Sequence, residues 1–172
     1  PLQMAVLLSQ VANGGIRYQP YVVSRVDNPD GTPAEIFGPK SLGVLPVPKN
    51  IMDLIREGLR DVTSEGGTAG ELFKGFPVAV AGKTGTAENA HGRDHGWFVA
   101  YAPYDKPQIV VVALVEQGGF GAGSAGPIVR DILSAYFKVP TSSSKNNDTK
   151  STDGKSANTK KGTQDIKPSV KE

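Results

Sequence analysis

The sequence predicts an α+β fold: an antiparallel sheet of three main strands flanked by helices, with a disordered C-terminal tail. Three observations predict it. Apolar residues recur at helical spacing in Leu2–Asn13, Lys49–Val62 and Ala125–Phe137. Three apolar or β-branched runs, Phe76–Thr86, Trp97–Tyr101 and Gln108–Glu116, follow one another across short connections. Lys138–Glu172 is built from Ser, Thr, Asn, Lys and Gly with almost no apolar residues, so burial cannot offset its ordering entropy.

Taken in order, the first helix places Leu2, Val6, Leu7 and Val11 on one face and stops at Asn13-Gly14-Gly15. Tyr21–Val26 and Ala34–Phe37 are short strand candidates, and the Asn28-Pro29-Asp30-Gly31 turn signal joins them into a ribbon. Lys40–Pro48 reads as extended and punctuated by proline. The second helix repeats Ile51, Leu54, Ile55, Leu59 and Val62 after Pro48, and Ser64-Glu65-Gly66-Gly67 ends it. The three strands form a meander, and the unbroken Ile109–Val112 run calls for cover on both sheet faces. The last helix follows glycine-rich Gly118–Gly126 and offers Ile128, Val129, Ile132, Leu133, Tyr136 and Phe137 as a buried stripe. The domain division is therefore 1–137 for the folded part and 138–172 for the tail.

With 172 residues the chain is long enough for one domain with a sizeable core. Its 19 Lys and Arg nearly balance 17 Asp and Glu, but the charges are unevenly placed. Lys138–Glu172 holds eight Lys and four acids, leaving eleven basic and thirteen acidic residues in Pro1–Phe137. The folded part is slightly acidic and gives no electrostatic reason to bind nucleic acid. Without Cys there is no disulfide framework, thiolate nucleophile or Cys-ligated zinc. The apolar runs are too short to span a bilayer, and no basic segment precedes an apolar one as in a signal peptide. The chain opens at Pro1 directly into a helical pattern, as expected of a piece whose upstream part is missing.

The strongest chemical signal is Ala81-Gly82-Lys83-Thr84-Gly85-Thr86-Ala87-Glu88 at the end of an apolar strand. Alternation places Thr84 and Thr86 on one side of that strand and Lys83 on the other. Gly85 carries no Cβ, so a substrate backbone can lie close to the strand and add along its edge. Two hydroxyls and an ammonium suit an anionic carboxylate, and Lys83 can organise a proton relay. The ordinary alternative is a surface lysine beside a glycine turn.

Lys83-Thr84-Gly85-Thr86-Ala87-Glu88, with Pro1-Leu2-Gln3-Met4-Ala5, Ala12-Asn13-Gly14-Gly15, Arg93-Asp94-His95 and Glu116-Gln117-Gly118-Gly119, resembles the C-terminal part of the class B penicillin-binding proteins, elongation type (penicillin-binding protein 2). The resemblance spans nearly all of Pro1–Phe137. It implies part of the penicillin-binding, serine β-lactamase-like transpeptidase fold. It also implies a peptidoglycan D,D-transpeptidase that cross-links stem peptides ending in D-Ala-D-Ala and is acylated by β-lactams, without a cofactor. Lys83 and Thr86 are the implied catalytic residues, with the Thr86 backbone N–H as an oxyanion donor. Thr84, Gly85, Thr86 and His95 are the implied substrate-binding residues. The implied setting is the extracytoplasmic face of the plasma membrane, alongside cell-wall elongation machinery that includes a glycosyltransferase.

The family pattern also requires a Ser with a Lys three residues on, and a Ser-x-Asn. Pro1–Phe137 contains neither. The matches Ser142-Ser143-Ser144-Lys145, Ser144-Lys145-Asn146 and Ser156-Ala157-Asn158 fall in the low-complexity tail and are decoys. The chain alone is expected to be inactive and poorly stable, because a partial sheet leaves an open edge. His91 and His95 have metal-ligand spacing, but Gly92 and Gly96 interrupt them and no metal is expected. Trp97 and Phe98 read as core residues. Gly118–Gly126 lacks the Lys of a phosphate loop and reads as a connector. Two alternatives stay open: a catalytically dead scaffold or sensor module, and a D,D-carboxypeptidase or β-lactamase relative.

Overall fold

A computed structural model describes residues 1–140. The predicted tail, apart from 138–140, and the Ser142–Lys145 and Ser156–Asn158 matches lie outside the described residues.

The elements run α1 (Leu2–Ala12), β1 (Ile16–Tyr18), β2 (Arg25–Asp27), β3 (Pro33–Ile36), β4 (Ser41–Val44), α2 (Lys49–Thr63), α3 (Gly70–Phe73), β5 (Ala81–Ala87), β6 (His95–Ala102), β7 (Ile109–Val115) and α4 (Gly121–Phe137). The main sheet has the order β5-β6-β7 and is antiparallel throughout. This is the predicted meander. β2 and β3 pair as the predicted ribbon. Its turn is closed by Asp30, whose carboxylate accepts the Thr32 N–H at 2.9 Å and the Thr32 hydroxyl at 2.6 Å. The Thr32 side-chain hydrogen bond, then the backbone one, holds the Asp30 carboxyl below its usual value.

Several boundaries differ from the sequence expectation. The strand predicted from Phe76 begins only at Ala81, because Gly75 takes φ +71° and Pro77 has no N–H to give a ladder. A single helical turn, α3, precedes it. Lys40–Pro48 contains β4, which pairs with β1, a partner too short to read from pattern. α4 starts at Gly121, four residues before the predicted Ala125, so most of the glycine-rich Gly118–Gly126 run is helix.

Two cores sandwich the sheet. Phe98, Ala100, Ala102, Val111 and Ala113 pack on Phe73 of α3 and on Ala125, Val129 and Leu133 of α4. On the opposite face Ala81, Val99 and Tyr101 pack on Leu8 and Ala12 of α1, with Leu59 of α2 against them. β7 is covered on both faces as expected, since Val110 and Val112 pack on the second core. The predicted helical stripes are only partly the buried ones. In α4 the Ala125–Val129–Leu133 row is buried, whereas Ile128, Ile132 and Tyr136 flank it and stay exposed. In α1 the sheet takes Leu8 and Ala12, leaving Leu2 and Leu7 exposed, and in α2 Ile51, Leu54 and Ile55 are exposed. α1 and α4 are apolar around much of their circumference, so periodicity alone does not say which face meets the sheet, whereas α2 has one apolar face of which the described residues cover only part.

α2 is tied to the sheet by polar groups. Thr63, buried, donates its hydroxyl to the Val80 carbonyl, which also accepts from Arg60 Nη1 at 3.0 Å. Arg56 donates to the Tyr104 carbonyl at 2.7 Å and to the Tyr101 hydroxyl at 3.4 Å, and lies over both rings. Burial pushes the Tyr101 phenol above the ordinary tyrosine value, with Arg56 opposing the shift. The folded chain therefore holds this proton more tightly than the unfolded one. Its contribution to stability is intact below about pH 10 and is lost as pH rises further. Urea midpoints at about pH 8 and pH 10.5 should show that fall, and Tyr101→Phe should flatten it. Among the described residues no helix is long and apolar enough to cross a membrane.

Candidate functional site

β5 pairs with β6 alone, so among the described residues its other edge leaves backbone donors and acceptors open. Along that edge lies a groove of about 380 Å³. Lys83, Thr84, Gly85, Thr86 and Ala87 supply one side, Trp97 and Val99 of β6 the floor, and Met4 of α1 a wall. The register explains the arrangement. Lys83 stands opposite Val99 and Gly85 opposite Trp97, so all four share the face covered by α1. Thr84 stands opposite Phe98 and Thr86 opposite Gly96, on the α4 face. The predicted split of Lys83 from the two threonines is what the strand presents.

Lys83 is exposed, and its ammonium donates to the Thr84 carbonyl at 2.8 Å. Among the described residues it is the only charged one lining the groove. Thr86 is exposed and Thr84 half-buried. At Gly85 a Cβ would stand 3.2 Å from the Trp97 Cβ, so a side chain there would crowd the groove floor. The chemistry on offer is a mobile positive charge, two hydroxyls and an unpaired strand edge over an apolar floor. That combination suits an extended peptide with an anionic end.

The α4 N-terminus closes the opposite side. A Cβ at Gly121 would collide with the Trp97 and Gly85 carbonyls, and one at Gly96 would collide with Ser124 Oγ. Both glycines are there because helix and strand touch. His95 opens β6 beside this contact. Its Nδ1 accepts the Gln117 N–H at 2.9 Å, across from the neighbouring Gly119 N–H, which donates to the Asp94 carbonyl at 2.8 Å. In neutral His95 the proton therefore sits on Nε2. His91 lies instead in the hairpin, where Asn89 Oδ1 accepts its backbone N–H at 3.1 Å. Among the described residues no three metal-ligating side chains cluster.

The structure thus brings Lys83, Thr84, Gly85 and Thr86 together along the groove, and His95 stands outside the lining, across the strands from Ala87 at its end. Sequence reasoning missed Met4 and misplaced Trp97. Trp97 is half-buried and forms the groove floor, whereas its neighbour Phe98 is fully buried. Alternation with Phe98 was the available signal, because only one of two successive strand residues can face the α4 core. A second groove of similar volume, about 380 Å³, runs between α1 and the β1–β4 pair, lined by Leu2, Val6, Leu7, Tyr18 and Leu42 with Arg17 as its one charge. It carries no comparable set of reactive groups.

Residues 1–134 match the penicillin binding protein transpeptidase domain. The peptidoglycan D,D-transpeptidase PbpA of Mycolicibacterium smegmatis is 34% identical over 152 residues, which cover 80% of this chain and 29% of PbpA. The peptidoglycan D,D-transpeptidase MrdA of Escherichia coli K12 is 31% identical over 149 residues, covering 77% of this chain and 23% of MrdA. The chain therefore spans well under a third of these relatives. Among solved structures, the D,D-transpeptidase domain of a peptidoglycan glycosyltransferase from Eggerthella lenta superposes with a TM-score of 0.69 at 33% identity, over 80% of this chain and 32% of that one. Penicillin-binding protein A from M. tuberculosis, solved as an imipenem acyl-enzyme complex, gives 0.69 at 31% identity, over 80% and 30%. With the sheet, the helices on both its faces and the Lys83–Thr86 strand in place, the chain belongs to the penicillin-binding protein transpeptidase family.

Proposed function

We propose that this chain forms one wall of the acyl-transfer cleft of a peptidoglycan D,D-transpeptidase. The observation that carries the proposal is Lys83-Thr84-Gly85-Thr86 on an open-edged strand beside an apolar groove, in a chain of this family. A stem peptide ending in D-Ala-D-Ala adds along the β5 edge. Its terminal carboxylate is held by Lys83 and the hydroxyls of Thr84 and Thr86, and Gly85 leaves room for its backbone. A serine Oγ attacks the penultimate D-Ala carbonyl, and the Thr86 N–H stabilises the developing oxyanion. The C–N bond to the terminal D-Ala breaks and that amine leaves with a proton. An amine of a second stem peptide then takes the acyl group and frees the serine. A β-lactam follows the first half of this course and stays attached, and no cofactor enters.

One feature of 1–137 shapes the rest of the proposal. It holds no Ser-x-x-Lys and no Ser-x-Asn, so the nucleophile comes from residues outside it. The proposed setting is the outer face of the plasma membrane, with a glycosyltransferase of the elongation machinery supplying the strands to be cross-linked.

Intact-protein mass spectrometry tests the proposal. The 172-residue chain incubated with penicillin should show no added mass. The native gene product from its source cells should gain one drug mass. A long gene product that stays unmodified would favour the dead scaffold, and acylation of the 172-residue chain itself would refute an external nucleophile.

A further inference from the structure

We infer that His95 is a positioning residue of this cleft: its unprotonated Nδ1 holds the 116–119 turn, and with it the start of α4, against the sheet, and protonation of the ring releases it. The inference rests on the acyl-transfer reading above.

Four observations place His95 in that role. First, its Nδ1 accepts the Gln117 N–H at 2.9 Å, across 22 positions of sequence, joining the start of β6 to the β7–α4 connector. Second, the connector needs holding. Gln117 takes φ +54°, in the left-handed region that a residue with a side chain avoids, and Gly119 takes φ +72°. Third, among the described residues one other hydrogen bond outside the strand ladder, Gly119 N–H to the Asp94 carbonyl at 2.8 Å, joins the same two segments, so His95 supplies half of the clamp. Fourth, the helix after the connector reaches the groove directly. α4 begins at Gly121, whose Cα face lies on the carbonyls of Gly85 and Trp97, and Ser124 meets Gly96, the cross-strand partner of Thr86. A shift of the 116–119 turn therefore moves the helix start that braces Gly85 and Thr86 from behind. Misplacement by about 1 Å costs up to about a hundredfold in rate where reacting groups must be aligned.

The direction of the pH effect follows from the bond. Gln117 N–H needs a lone pair on Nδ1, and an imidazolium has none. Imidazole is the side chain that changes charge between about pH 5 and pH 8. The charged groups around it are Arg93 and Asp94, which precede it in the hairpin, Glu88, which follows its cross-strand partner Ala87 on β5, and Glu116, beside Gln117 in the connector; the nearby α4 start carries no charged residue until Arg130. The Arg93 guanidinium also lies against Gly119.

Substitution separates the two ring nitrogens. In His95→Asn the side-chain oxygen replaces Nδ1 as acceptor but cannot titrate. In His95→Ala the acceptor is lost. Two readouts are needed. Hydrogen exchange of the Gln117 amide in the full chain reports the clamp without requiring activity. The second-order rate of penicillin acylation, measured on the native gene product, reports the cleft. We expect wild-type Gln117 protection to fall at least about tenfold between pH 8 and pH 5, beyond the intrinsic change in exchange. His95→Asn should stay protected at both pH values, and His95→Ala at neither. Acylation should follow the same order: His95→Ala slower by about tenfold, His95→Asn within about threefold of wild type and without the acid limb. Protection independent of pH in the wild type overturns the inference. So does an Asn variant as slow as the Ala variant, which would give the role to Nε2–H instead. A wild type that shows the exchange pattern but no acylation at any pH overturns the acyl-transfer reading, and the positioning role with it, while the clamp stands.

Discussion

Replacing Lys83 by alanine should lower penicillin acylation of the native gene product by about 10²–10³-fold, the usual loss when one pre-placed electrostatic donor is removed. Among the described residues the groove has no second charge to compensate, since Met4, Thr84, Gly85, Thr86, Ala87, Trp97 and Val99 are all uncharged. Its floor is apolar, so the attraction between the ammonium and a substrate carboxylate is less screened than in water. The fold should not notice. Lys83 is exposed and spends its one hydrogen bond on the neighbouring Thr84 carbonyl. The urea midpoint should stay within the ±0.5 kcal/mol typical of surface substitutions. Lys83→Arg should rescue poorly, because a bulkier, planar guanidinium cannot place a single donor where the compact ammonium did. An alanine variant that acylates within about threefold of wild type would remove Lys83 from the chemistry and return it to the status of a surface lysine beside a turn.

The part of this site that could be read beforehand is the part that depends on strand alternation. Lys83, Thr84, Gly85 and Thr86 lie in seven regular residues of β5, where period two assigns faces without knowledge of the partner. The main sheet was legible for the same reason, and so was the turn at Asn28–Thr32, because Pro, Asp and Gly specify it locally. What stayed hidden depends on which surface meets which. The apolar positions of α1 and α4 exceed what one face needs. Only the sheet chooses Leu8 over Leu7, or Val129 over Ile128. Trp97 looks like core from its type, and the register puts it under Gly85 instead. Met4 reaches the groove only because α1 crosses that face. The His95–Gln117 bond joins residues 22 apart through a nitrogen lone pair, and no spacing rule describes it. Pattern within an element reads well, and pairing between elements does not.

The glycines of α4 give the sharpest contrast of this kind, because the same substitution should act in opposite directions two residues apart. Gly121→Ala places a Cβ into the backbone carbonyls of Trp97 and Gly85. Neither can yield, since both carbonyls belong to paired strands of the central sheet. The helix start must move instead. Overpacking of this kind costs about 1–3 kcal/mol and occasionally more. Gly123 is exposed, and a Cβ built there meets nothing within 4 Å. It has helical backbone, so Gly123→Ala removes only the entropy cost of a helical glycine and should stabilise by up to about 1 kcal/mol. At about 2–4 °C per kcal/mol for a chain of this size, the two variants should melt on opposite sides of wild type. The position of Gly121 extends the consequence to the cleft. A displaced α4 start withdraws the brace behind Gly85, so Gly121→Ala should also slow acylation under conditions where it remains folded, whereas Gly123→Ala should not. A Gly121→Ala variant that melts with Gly123→Ala would mean that the helix start and the Lys83 strand are not in contact. The glycine-rich run would then be the simple connector that composition alone predicts.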